Sequence, residues 1–373
     1  MEDPQYLPGI PHRSPLERSL APCSLPAMHL PKLQRASCAG IEERRPARLR
    51  RGVAWRLAVC GLCLPWLCMA SPAGASPAAA IAQLQVVNIS ALIRAVGGNP
   101  KTVRIDDVAY DGNAAVGSFS NSPDKYEGRR FFIYSKAGGM QEIEDLYRRP
   151  VDSLRMSSDG AVVWGTYYDY RRGTYAGVFR WTREGGIQEY GSFGQRGLKI
   201  GATSADGEFV AGGFTCSASE PVFHAFRYSH ARGFEDLGAM GADSATAHGI
   251  SGDGRWVAGH LQFREGRVAH AFFHPEAEGP LPIASHSGSS TFASGVSSDG
   301  AVVVGTYNRR CGFVDCTRAA FVYTRKTGAR SVSGVAVHSM GRIVVSPYGT
   351  RIGGAFMDSD SESHVFTGTI VIE

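Results

Sequence analysis

Five short stretches of this chain are near copies of one another, and their spacing limits what the chain can fold into. They read "AYDGNAAVG", "SSDGAVVWG", "SADGEFVAG", "SGDGRWVAG" and "SSDGAVVVG", and carry Asp111-Gly112, Asp159-Gly160, Asp206-Gly207, Asp253-Gly254 and Asp299-Gly300. A degenerate sixth copy, "HSMGRIVVS", reads with Met340-Gly341 at the same place, so the steps are 48, 47, 47, 46 and 41 residues. A second landmark follows each copy, from "RRFFIY" at 129–134 through "HAFRYS" at 224–229 to "SHVFTG" at 363–368. In copies one to five a Gly-containing turn and another short run come next, as in "GFEDLG" at 233–238.

One copy reads as four short strands. Asp-Gly is a hairpin turn: Gly takes the positive φ, and Asp satisfies nearby backbone N–H groups. The run after it, "AVVVG" in copy five, has the β-branched content of a strand buried on both faces. A repeat of 41–48 residues with four strands fits one blade of a β-propeller. A blade cannot cover both of its own faces, so blades stack on neighbours. Six copies predict a six-bladed ring, and the alternative is an open β-solenoid or sandwich array. Copy six has no clear fourth strand. The missing strand is expected from the N-terminus, at roughly 84–92, pairing onto the blade that contains "HVFTGTIVIE". The 46 glycines suit a turn-rich, all-β chain. The best helical period is the short "VNISALIRAV" near 87–96.

The first 80 residues are of different character. A Pro-rich extension leads to a basic run, "RRPARLRRGVAWR" at 44–56, then an apolar run, "LAVCGLCLPWLCMA" at 57–70, then small residues. That order is the order of a secretory signal peptide. The apolar run is broken by Pro65 and is short for a membrane span. The expected processed chain begins at Ser76 or Ile81, with 81–373 as a single propeller domain and no transmembrane segment. The long stretch before the basic run is a true extension or marks a start upstream of the real one. The first 80 residues hold ten Lys+Arg and five Asp+Glu, which leaves 29 of each sign in the remainder. The processed chain is therefore neutral, without the basic run that nucleic acid needs.

The repeat resembles the HAF family of bacterial extracellular repeats. "HAFRYSHARGFEDLG" (224–238) carries one half of that unit and "GVSSDGAVVVG" (295–305) the other. The resemblance covers about 84–373, is specific as a repeat, and implies export while saying almost nothing of activity.

Several residue sets invite chemistry. The Asp residues resemble the Asp-box turns of sialidase-type propellers, but Asp and Gly are adjacent here, so a structural turn is expected. Calcium would need several oxygens converging on one loop, and one Asp per copy does not supply them. His224, His270 and His364 share a repeat position and read as packing or turn residues. There is no G-x-S-x-G elbow, P-loop or Cys-x-x-Cys in 81–373. No catalytic residue, metal or cofactor is assigned.

The variable parts lie between second and third strands: "TYYDYRRGTY" (166–175), "GFTCSASEPV" (213–222), "HLQFREGRVA" (260–269) and "TYNRRCGFVDC" (306–316). In an antiparallel blade these loops share one face and the Asp-Gly turns the other. The candidate binding residues are Tyr167, Tyr168, Tyr170, Arg171 and Arg172, with Tyr307, Arg309 and Arg310 as a second patch three copies away, opposite in a six-membered ring. Tyr supplies stacking area and paired Arg directed hydrogen bonds. Solvated loop tips without a ligand would look the same. Cys311 and Cys316 are expected to form a disulfide across the fifth loop, leaving Cys216 free. The function expected is an exported, non-enzymatic protein of the periplasm, envelope or exterior that binds a glycan or surface protein. A secreted propeller hydrolase or lyase would need acids and bases converging in the central channel, and a purely structural envelope scaffold would need neither.

Overall fold

The computed structural model describes residues 79–371 except 123–127, 148, 170, 172, 216–221, 264–268, 284–288, 312–315 and 334–338, and describes 79, 309–311, 316–317, 333 and 339 by backbone alone. The segment read as an export signal lies outside the described residues but for Ala79 and Ala80, and Tyr170, Arg172 and Cys216 lie outside them too. The strands pair into six four-stranded antiparallel blades of a β-propeller. Five blades are continuous in sequence, spanning 104–142, 151–191, 196–238, 244–282 and 291–333. Their first strands face one another around the axis.

The sixth blade is made from the first and the last strands of the described residues. Its first three strands are Ser339–Val345, Arg351–Met357 and Ser363–Val371, and its fourth is Ala79–Asn88. That strand runs antiparallel to the third, with Ile81 opposite Ile370 and Asn88 opposite His364. It also touches blade five in parallel, Ala79 opposite Val332 and Ala80 opposite Ser333. The closing strand thus sits some residues earlier than 84–92. It stops at Asn88 because the Asn88 side chain accepts from the Ala91 N–H at 2.8 Å and starts the helix Ile89–Ala95. Ile89 and Ile93 of that helix are fully buried under blade one.

The sixth copy has a different register from "HSMG". Its first turn is Ser346-Pro347-Tyr348-Gly349: the Gly349 N–H donates to Ser346 O at 2.9 Å and the Ser346 N–H to Arg351 O at 2.8 Å. The corresponding bonds in copy five run from Gly300 to Ser297 O and from Ser297 to Val302 O. Met340 and Gly341 belong to the first strand instead. Tyr348 stands where the other copies have Asp, and this hid the match.

In copies two to five the Ser of Ser-x-Asp-Gly organises the turn. Ser297, buried, donates from Oγ to Asp299 Oδ1 at 2.7 Å and accepts the Val302 N–H at 3.0 Å. Asp299 Oδ1 also accepts the Ala301 N–H at 3.0 Å. The Ser297 hydroxyl and this N–H hold the carboxyl below its ordinary range. The five Asp-Gly glycines and Gly349 all have positive φ, between 67° and 77°.

The second conserved pair has a steric cause. The Gly that ends "VVG" or "VAG" lies directly opposite the Phe of the third strand: Gly165 faces Phe179, Gly212 Phe226, Gly259 Phe272 and Gly305 Phe321. A methyl on Gly305 would come within 2.7 Å of the Phe321 ring and 2.2 Å of Phe292 O. The ring therefore occupies the space a side chain would need. Each blade interface then buries its own apolar cluster, such as Val116, Phe131 and Ile133 of blade one against Leu154, Val163 and Phe179 of blade two.

Candidate functional site

Second strands begin three residues after the turn Asp, or after Tyr348 in blade six. In blades one, three, four and six they run seven residues. In blade two the strand runs eight, Val162–Asp169, and in blade five ten, Val302–Cys311. The extra length lies at the loop end, where Asp169 pairs with Thr174 and Cys311 with Cys316. Blades two and five, three positions apart in the ring, thus have the longest second strands among the described residues, extended toward the face opposite the Asp-Gly turns.

Tyr167 and Tyr307 occupy matching positions at the base of these hairpins, and both rings are committed to packing. Tyr167 stacks on Phe179, centroids 4.7 Å apart, and its hydroxyl accepts from Arg149 Nη1 at 3.0 Å. Tyr307 packs on the cluster between blades four and five and shares a hydrogen bond with Ser331 Oγ at 3.0 Å. Tyr168 is half-buried, edge-on to Tyr175 at 5.3 Å. Arg171 is exposed at the tip, its N–H donating to Asp169 Oδ1 at 2.9 Å. Arg309, Arg310, Cys311 and Cys316 are placed by backbone alone, with both cysteines at one register position across the hairpin. Blade two's hairpin leads inward: Tyr175 OH accepts from Lys199 Nζ at 3.1 Å, and Lys199 pairs with Asp152 at 3.0 Å. On the blade-five side Arg318 lies over the Phe292 ring, 5.4 Å from its centroid.

Charged side chains that the repeat pattern did not single out gather along the axis. Asp107 of blade one accepts from Arg342 Nε of blade six and from the Met156 N–H of blade two at 3.1 Å. Arg342 Nη1 donates to Gly201 O of blade three at 3.1 Å, and Arg155 Nε of blade two to the same oxygen at 2.6 Å. Arg155 Nη1 donates to Asp106 O at 3.0 Å. These bonds tie four blades together across the axis. Burial raises the Asp106 carboxyl above its ordinary range despite Arg104 at 2.8 Å. Burial, with Arg342 close by, pulls the Arg155 guanidinium down to about 10. The sequence held one signal of this: the first strands "RIDDV", "DSLRM" and "GRIVV" carry charges where a strand packed at the axis should be small and apolar.

His248 and His260 stack nearly parallel beside these charges, centroids 5.1 Å apart. Burial pushes His260 down to about 4, and burial with the His260 ring pushes His248 in the same direction. Both stay neutral in the fold but take up protons readily when unfolded, at a pKa near 6.5. Stability is therefore full above that value and declines as pH falls toward 4, the unfolded chain binding more protons. Asp106 opposes this in part, since its raised pKa favours the fold in acid. His260 alone is expected to contribute a loss of about 2 to 3 kcal/mol between pH 7.5 and 4.5. Urea titrations of wild type and His260→Phe check it, the variant showing the flatter pH dependence.

His224 pairs with Asp236 at 3.0 Å, and His270 lies edge-on to Phe263. His364 lies with Asp358 and Glu362 in the one acidic-imidazole group among the described residues close enough to share a metal ion. Its carboxylates already have partners: Asp358 takes His364 Nε2 at 2.7 Å, and Glu362 takes Arg94 and Asn88. No helix among the described residues is long and apolar enough to cross a membrane.

No family model matches the sequence, and no curated protein matches it. Solved structures of similar shape include a TolB-type protein from Agrobacterium tumefaciens, 15% identical with a TM-score of 0.49, covering 80% of this chain and 100% of that one. TolB from Acinetobacter baumannii is 13% identical with a TM-score of 0.44, covering 65% of this chain; the match spans 61% of that protein's length. The oligogalacturonate lyase of Vibrio parahaemolyticus is 8% identical with a TM-score of 0.42, covering 79% of this chain and 98% of that one. At such identities and scores these likenesses add nothing to what the strand pairing of this chain already shows.

Proposed function

We propose that this chain is an exported, non-enzymatic propeller of the HAF type, resident in the periplasm, envelope or exterior. It binds a glycan or a surface protein through the face bearing the second-to-third loops. The observation that carries this reading is the pair of lengthened second strands in blades two and five, extended toward one face and three blades apart. Aromatic rings and cations lie on and beside these strands: half-buried Tyr168, Tyr175 and Lys199 at blade two, half-buried Phe292 and exposed Arg318 at blade five. Rings give stacking area at low entropic cost, and cations select an acidic partner. The axial acids and bases do not favour a hydrolase. Asp107, Arg155 and Arg342 are bonded to neighbouring blades, and the axial cavity, about 60 Å³, is far below the size of a sugar site.

A glycan array and a whole-cell binding assay test the proposal. The variants are Tyr168→Ala with Arg171→Ala, and separately Arg318→Ala. Such changes at partly exposed positions cost the fold little, within about 0.5 to 1 kcal/mol. Binding to an acidic ligand is expected to fall at least tenfold in each. A ligand that binds both variants at wild-type affinity places the site elsewhere.

A further inference from the structure

The axial cavity itself has features of a built site. It lies at the Asp-Gly end of the channel and is lined by residues from all six first strands and their turns. Arg342 and Asp107 line it from the strands, and Tyr110, Ser158 and Ser298 come from the position just before the turn Asp. The Arg342 side chain is 11% exposed and that of Asp107 4%. Asp107 is saturated: Oδ1 takes Arg342 Nε and the Val108 N–H, and Oδ2 takes the Met156 N–H. Arg342 is not. Nε and Nη1 are bonded, while Nη2 has no hydrogen bond among the described residues.

A second guanidinium, that of Arg155, lies beside the cavity without lining it. Arg342 and Arg155 converge on one carbonyl oxygen, Gly201 O. Asp107 pairs with Arg342 alone, and Asp106 is taken by Arg104. Lys199 and Asp152 form a pair of their own. Arg155 makes no ion pair among the described residues; its hydrogen bonds go to the carbonyls of Gly201, Asp106 and Leu154. Asp107 and Asp106 act on it through space only, each being paired with another arginine. Cations removed from water are ordinarily matched by an anion.

We propose that the Asp-Gly end of the axial channel binds a small oxyanion the size of a carboxylate, held by Arg342 Nη2 beneath a rim of Tyr110, Ser158 and Ser298 hydroxyls. A cavity of about 60 Å³ admits a group of a few heavy atoms and excludes a sugar ring. The N–H groups of Arg342 Nη2 and the rim hydroxyls are directed donors, which suit an oxyanion better than a spherical halide. This site lies at the end of the channel opposite the proposed partner face and stands or falls apart from it.

Arg342→Gln would remove the Asp107 bond as well and can unfold the ring, so the decisive variant is Gly252→Leu. Gly252 lines the cavity, its φ is not in the left-handed region, and a Cβ there meets only Ser298 Oγ at 3.5 Å. A leucine side chain there fills the mouth while leaving the axial bonds intact. Melting temperature and calorimetric binding are measured in acetate, inorganic phosphate and chloride at equal ionic strength. Acetate or phosphate, but not chloride, is expected to raise the melting temperature saturably, and whichever acts identifies the anion as planar or tetrahedral. Gly252→Leu is expected to weaken that binding at least tenfold without lowering its melting temperature in chloride. Equal effects of all three salts, no saturable binding, or unchanged binding in Gly252→Leu each overturn the proposal.

Discussion

Deleting residues 79–88 is expected to abolish cooperative unfolding. The deletion strips the fourth strand from blade six and leaves Ser363–Val371 as a bare edge. It removes Ile81, 8% exposed and part of the cluster between blades five and six. Loss of one such side chain costs about 2 to 5 kcal/mol. It also removes Asn88, whose cap contributes about 1 kcal/mol to the helix that buries Ile89 and Ile93. With the strand's backbone bonds gone too, the loss approaches the whole stability of an ordinary domain, about 5 to 15 kcal/mol. Near-ultraviolet circular dichroism and urea titration read the result, and a synthetic peptide of residues 79–90 added in trans should restore part of the signal. A truncated protein that melts like the full chain would show that the ring is held without this strand.

Gly212→Ala is expected to cost at least about 3 kcal/mol, a large effect for one methyl group. Its Cβ would lie 2.0 Å from Lys199 O and 2.7 Å from the Phe226 ring. The first obstacle is backbone of the strand next to the axis, so relief requires the first and second strands of blade three to separate. Gly328→Ala is the control. Gly328 has φ of 68° with nothing within 4 Å of a Cβ, so it reports only the left-handed backbone penalty, about 1 to 2 kcal/mol. Urea midpoints of the two variants, measured side by side, separate the cost of the clash from that of the conformation. Similar losses in both would refute the ring-over-glycine account of the repeat.

The repeat was legible because its signature residues answer to contacts inside one blade or with the next. Ser297, Asp299 and Gly300 close one turn, and Gly305 faces Phe321 across one ladder, so the same letters recur wherever the same blade recurs. Blade six escaped because Ser346 and Gly349 alone keep its turn, with Pro347 and Tyr348 between them. The N-terminal strand was legible as a missing piece, while its end depended on the Asn88 cap. The axial charges were not legible. Asp107, Arg155 and Arg342 lie 48 and 187 residues apart in successive steps, each occurs in one or two blades only, and nothing local shows that they meet. The loop face was half legible: "TYY" and "TYN" mark the longer second strands, but their shared Tyr167 and Tyr307 serve as packing at the base.

Closure by the first and last strands of the ring also sets the order in which the ring can be finished. Synthesis delivers Ile81 before the other five blades and Ile370 after them, yet the two are paired neighbours. Blades one to five can form as the chain emerges, each from local hairpins, and such short-range pairing is fast. The sixth waits for Ser363–Val371, and until then the early strand has no antiparallel partner. A nascent ring of this design therefore stays unlatched until all of its other strands have been made. Its final folding step is a single long-range capture, vulnerable to any other strand that reaches the waiting edge first.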